Sequence, residues 1–262
     1  MVILETGIGL QRRDILHQMK PETMPLRLDN DRKNETLNRC AEQRNIGSFG
    51  AIGSQSLHRS EYSGDDRLIA HGRILERLKE GTAPHHAAAE QRLDLENRLR
   101  DSSAYAALIG RLCGFYRPLE SALGRVRGYE ELDLRFSERS KAHHLVNDLA
   151  ELGHAPDRFP ICPPPQVPSL GDALGRMYVL EGATLGGRMI SRMVEARLGF
   201  TPERGCAFFA SYGDRVGAMW TAFRSALVRF ATTPEVEREI IVAAVDTFDR
   251  FNSWLASAGE RP

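Results

Sequence analysis

From Arg67 onward apolar residues recur every three or four positions, and before it they show no sustained period. Leu68, Leu75 and Leu78 form one stripe of a first helix, which Gly81 interrupts. Thr82 then reads as the cap of a second helix with Pro84 in its first turn, and His86, Ala89 and Leu93 share one of its faces. A further buried helix follows, with Tyr105, Leu108, Leu112, Phe115 and Leu119 on its apolar side and Pro118 expected to kink or break it. The segment SERSKAHHLVNDLAELG predicts a shorter amphipathic helix closed by Gly153. Six prolines between Pro156 and Pro168 predict an extended connector.

Ser169 opens a long apolar helix containing RMYVLEGATLGGRMISR, with Asp172 in its first turn. Another helical segment spans CAFFASYGDRVGAMWTAFRSALVRFAT, with Trp220, Phe223, Leu227 and Phe230 on one side. Thr233, Pro234 and Glu235 start the last helix, whose apolar face carries Ile240, Ile241, Ala244, Val245, Phe248 and Leu255. No alternation of strands and helices occurs. The expected fold class is all-α, seven or eight helices around one core over residues 66–259.

Residues 1–65 are polar, interrupted and Gly/Ser-rich at their end, a composition expected of a disordered extension; a partner-binding arm is the alternative. With 35 basic and 35 acidic residues the net charge is zero, which offers no field for nucleic acid or an anionic membrane. No apolar run is long enough to span a bilayer, so a cytoplasmic protein is expected. The four cysteines, Cys40, Cys113, Cys162 and Cys206, match no zinc spacing and are expected to be unpaired thiols.

The chemistry concentrates in the glycine-bearing helix. Three glycines, Gly182, Gly186 and Gly187, each cost a helix about 1 kcal/mol relative to alanine, so something must require them. Bare backbone over one turn admits either a packed helix or a flat ligand. No P-loop, dinucleotide fingerprint, HExxH or nucleophile elbow is present. Histidines near a helix start, inward glycines and scattered cations fit haem between two helices, with imidazole on iron and Arg or Lys on the propionates.

At these residues the chain resembles a known family. LEGATLGGR, preceded by LKEGTAPHHAAAE and followed by FFASYGDRVGAMWTAFRSAL, is similar to the haem oxygenases, in particular the bacterial biliverdin-forming branch found beside bacteriophytochromes. The resemblance covers about residues 67–258. It implies His86, between Thr82 and Glu90, as the iron ligand in preference to His85, with Glu90 beside it. It implies Lys79 and Arg224 at the propionates, Gly182, Gly186 and Gly187 over the macrocycle, and Phe248 as a pocket wall.

There are departures from the pattern. Ala183 stands where the mammalian enzymes carry an aspartate, so the proton route is not given by the sequence. Trp220 replaces a basic residue, which shifts propionate anchoring to Lys79, Arg224 and either Tyr178 or Arg176. Glu181 would need a partner if buried, and the sequence names none. The resemblance further implies haem as both cofactor and substrate, cleaved with O2 and electrons from an external reductase or ferredoxin to biliverdin, ferrous iron and carbon monoxide. A bacteriophytochrome is the bilin acceptor it suggests. A non-catalytic haem carrier or sensor remains an alternative, as does a thiaminase-like hydrolase or oxidase, which would need a catalytic cysteine or a carboxylate-rich metal centre.

Overall fold

The computed structural model describes residues 64–257, with side chains from 73 onward; the extension predicted for residues 1–65 lies almost wholly outside the described residues. Seven α-helices follow in order: α1 (Gly64–Leu93), α2 (Leu95–Arg98), α3 (Ser102–Leu123), α4 (Ala142–Glu151), α5 (Leu170–Leu198), α6 (Val216–Phe230) and α7 (Pro234–Ala256). Among the described residues no strand occurs beyond isolated bridges at Thr201. The fold is all-α, as the periodicity predicts.

Several boundaries differ from expectation, and three of them concern α1, α3 and α6. First, α1 runs unbroken through Gly81 and Pro84. Burial of Ile74, Leu78 and Ala89 on both sides of these residues holds it together, although proline removes one backbone hydrogen bond. Thr82 is therefore not a cap: it is buried in mid-helix and its hydroxyl donates to the Leu78 carbonyl at 2.6 Å. Second, α3 continues through Pro118, flanked by buried Phe115, Leu119, Ala122 and Leu123. Third, α6 begins only at Val216, because Tyr212 and Gly213 take left-handed backbone, φ 67° and 53°, that a helix cannot contain. The predicted caps Ser169 and Thr233 do accept from the amides of Asp172 (3.0 Å) and Val236 (3.4 Å).

Helix α7 is the spine against which α1 and α5 are set. From α1, Arg77 pairs with Glu237, a Cβ at Gly81 would touch Ile241 (3.3 Å), and His85 meets Asp249. From α5, the backbone at Gly175 lies against the Ile240 carbonyl, where a Cβ would come within 2.2 Å, and Arg176 binds Asp246. Numbers rise together along all three helices, so α1, α5 and α7 run in the same direction. Fully buried Leu78, Leu108, Leu145, Phe223, Leu227 and Ile240 bind the bundle into one core. Each such side chain contributes roughly 1.5–3 kcal/mol.

Candidate haem site

The slot is defined by one contact and what lies beyond it. On α5 the Tyr178 hydroxyl is beside Thr82 of α1 and within the field of Arg224 of α6. Burial raises its pKa, and the neighbouring Thr82 side chain and the Arg224 charge partly offset this. One helical turn further along each helix are His86 and Gly182; another turn brings Glu90 and Gly186. A Cβ at either Gly182 or Gly186 would meet nothing within 4 Å, so α5 packs against no other part of the described chain at these points. Counted in turns from that contact, His86 on α1 and the bare stretch of α5 lie equally far along.

The two histidines have different surroundings. His85 is engaged, its Nδ1 at 2.6 Å from Asp249 Oδ1, and the Asn252 amide donates to its carbonyl at 3.2 Å. His86 is half exposed. Its Nδ1 approaches Glu90 Oε1 at 3.7 Å, and its ring meets Phe248 edge-on with centroids 5.8 Å apart. That leaves Nε2 available to a metal, with Glu90 placed to favour the proton on Nδ1.

At the end of the slot where Tyr178 and Thr82 meet, Lys79 lies on α1 and Arg224 on α6, both exposed. No ion pair holds either among the described residues. Trp220, one turn before Arg224, packs on Tyr178 with ring centroids 5.7 Å apart. Two cations and a phenol at one end suit a pair of carboxylates. The observations that test the fit are the open space over Gly182 and Gly186 and the uncommitted His86, and both fit haem.

Not every predicted residue belongs to the slot. Gly187 does not face it: a Cβ there would lie 2.4 Å from the Phe209 carbonyl oxygen, so this glycine serves a close approach of the loop before α6. Arg176 is buried and bound to Asp172 (2.6 Å) and Asp246 (2.7 Å), on the face of α5 that packs on α7, which removes it as a propionate anchor. Glu181 does have partners: Arg139, Lys141 and Tyr212. Sequence reading missed these partners, and also Asp249 and Asn252, because each comes from a segment distant in the chain. Asp249 could have been found beside Phe248, the pocket wall.

Among the described residues the thiaminase-like alternative lacks its chemistry. Cys113, Cys162 and Cys206 are buried with thiol pKa values raised by burial. Among the described residues no group of three or more His, Cys, Asp or Glu side chains is placed to hold a metal. No helix among them is long and apolar enough to cross a membrane.

An all-α bundle that sets one imidazole level with a glycine-surfaced helix, with cations at the slot's end, defines a helical haem protein. The Heme oxygenase family model matches residues 72–257. The chain belongs to the haem oxygenase family, and its class of activity, at the level of the family, is oxidative haem degradation. A curated heme oxygenase of Xanthomonas campestris pv. campestris (strain 8004) is 29% identical over 164 residues, covering 60% of this chain and 92% of the relative. Among solved structures, the NO- and CO-bound heme oxygenase from Neisseria meningitidis superposes with a TM-score of 0.62 at 20% identity, over 70% of this chain and 90% of that one. The heme oxygenase from Leptospira interrogans gives a TM-score of 0.58 at 17% identity, over 70% and 98%. These two likenesses establish the shared fold.

Proposed function

We propose that this chain cleaves haem with O2 and externally supplied electrons to biliverdin, ferrous iron and carbon monoxide, using His86 as the iron ligand. The observation that carries the reading is the level placement of an uncommitted imidazole and two glycines with open space before them. Haem supplies the iron that activates oxygen and the ring carbon that is oxidised. The protein's part is placement. His86 holds the iron through Nε2 while Glu90 favours the proton on Nδ1. Phe248 keeps the imidazole plane from turning. Lys79, Arg224 and Tyr178 would hold the propionates, and the bare backbone at Gly182 and Gly186 would leave room for the macrocycle.

Ala183, exposed on α5, offers no carboxylate for proton delivery. Backbone groups of the glycine stretch and ordered solvent take that role in this reading. The chain carries no flavin or dinucleotide motif, so a separate reductase or ferredoxin supplies electrons in the cytoplasm, and a bacteriophytochrome is a fitting acceptor for the bilin. The test is the absorption spectrum of the purified protein with one equivalent of hemin, followed in air with ascorbate and then with a ferredoxin donor. A Soret band that gives way to broad red bilin absorption supports the reading. A Soret band that persists with both donors makes the protein a carrier or sensor, and no Soret band removes haem altogether.

A further inference from the structure

A set of buried charges lies beside the slot, on residues to which the proposed function gives no role. Glu181 directly precedes Gly182, about 100° around α5, and is 1% exposed. Its Oε1 accepts from Lys141 Nζ and from the Tyr212 hydroxyl, each at 2.8 Å, and its Oε2 accepts from Arg139 at 2.6 Å. Lys141 also donates to the Arg139 carbonyl at 2.8 Å, and Arg139 reaches the Met219 carbonyl of α6 at 3.3 Å. Glu120 of α3, also buried, accepts from the amides of Lys141 (2.8 Å) and Ala142 (2.9 Å), so two carboxylates balance two cations. The set thus ties α5, at the residue before its first open glycine, to α3, the start of α4, α6 and the loop before α6.

One detail shows that this arrangement is held against a cost. Tyr212 adopts left-handed backbone, which is disfavoured for a bulky residue, and in that conformation its hydroxyl reaches Glu181 while Lys141 Nζ lies 4.8 Å from its ring centroid. Apolar packing of similar volume would stabilise a helix contact as well as a buried ion set does; what the ion set adds is directional hydrogen bonds that favour one rotation of α5. A one-residue rotation of α5 would present Ala183 or Glu181 to the slot in place of Gly182.

We propose that Glu181, with Arg139, Lys141 and Tyr212, is a positioning set that fixes the rotation of α5 and thereby decides which edge of the bound macrocycle is oxidised. The inference rests on the function proposed above. Glu181→Gln, Lys141→Met and Tyr212→Phe are each loaded with hemin and turned over with ascorbate. The biliverdin isomers are separated by chromatography, and the C–O stretch of the ferrous carbon monoxide complex is recorded by infrared spectroscopy. In Tyr212→Phe, which keeps the ring and loses only the hydroxyl, the ratio of major to minor isomers is expected to fall about fivefold, the effect of one ordinary hydrogen bond on a ratio of outcomes. The C–O stretch is expected to shift or broaden with it.

Should Glu181→Gln fail to fold, Tyr212→Phe and Lys141→Met decide. If those variants melt at lower temperature but match the wild type in isomer ratio and C–O stretch, the set is merely structural and the inference is overturned. A wild type that forms no haem complex overturns the proposed function and this inference together, and is seen before any variant is made.

Discussion

Gly182 and Gly187 lie five residues apart on one helix, yet alanine at the two positions should move stability in opposite directions. In a helix interior Gly→Ala gains about 1 kcal/mol from propensity. At Gly182 the new methyl meets nothing within 4 Å, so this gain is realised in full by the haem-free protein. For a domain of this size that is a rise of about 2–4 °C in melting temperature. At Gly187 the methyl would sit 2.4 Å from the Phe209 carbonyl oxygen, which belongs to backbone and cannot swing aside. Overpacking costs typically about 1–3 kcal/mol, and a 2.4 Å contact with backbone belongs in the upper half of that range, so the expected net is a loss of about 1–2 kcal/mol and a fall of several degrees. Haem reverses the order between Gly182→Ala and wild type. A ligand at 100 times its Kd stabilises by about 2.7 kcal/mol, and a methyl in the slot that weakens binding tenfold removes about 1.4 kcal/mol of that, more than the helix gained. Scanning calorimetry with and without hemin measures all of these. If haem-free Gly182→Ala melts below the wild type, or Gly187→Ala melts with it, the division of the glycines between slot and packing is wrong.

Other substitutions test neighbouring parts of the argument. His86→Ala should abolish turnover and weaken hemin binding, whereas His85→Ala should leave both nearly intact, read by Soret titration; equal losses would reverse the ligand assignment. Arg176→Met should cost on the order of 2–3 kcal/mol, below the figure for a fully buried pair because Asp246 is about half exposed, and should leave hemin affinity unchanged. Arg224→Ala and Lys79→Ala should raise the Kd for hemin without altering the haem-free melting temperature by more than about 0.5 kcal/mol equivalent, as expected of exposed cations. Burial foremost, then His143 and Lys141, lower the His144 pKa from its ordinary 6.5. The unfolded chain therefore takes up that proton first, so stability falls as pH drops from 6.5 through the folded value. His144→Gln should flatten that part of a plot of melting temperature against pH; an unchanged slope would assign it to another group.

The elements were legible wherever one period ran long enough, and the caps Ser169 and Thr233 were legible because capping is local chemistry. The errors share a cause. Thr82 with Pro84 is a helix start in any local reading, and only the burial of Leu78 and Ala89 against the rest of the bundle carries α1 through. Tyr212 falls inside a helical pattern, yet it takes left-handed backbone and its hydroxyl bonds to Glu181, 31 residues away in the chain. Of the site, the resemblance to the family pointed to His86 and Glu90, and spacing adds only that the two lie one helical turn apart. What separates His86 from His85 is Asp249 on another helix. The glycine trio looked uniform in sequence because a missing side chain carries no sign of what occupies its space.

That Gly182 and Gly186 have nothing packed against them leaves α5 with a soft span between two anchored ones. Upstream, Gly175 is clamped on α7, Arg176 is held by two carboxylates and Glu181 by Arg139, Lys141 and Tyr212; downstream, Gly187 rests on the Phe209 carbonyl. Amide hydrogen exchange in α5 should accordingly be fastest in the middle and slower at both flanks, the reverse of a helix that frays from its ends. A rigid slot would trap a product whose ring has been cut open and can no longer lie flat. A helix that opens at its centre while its flanks stay anchored can release that product without unfolding the bundle.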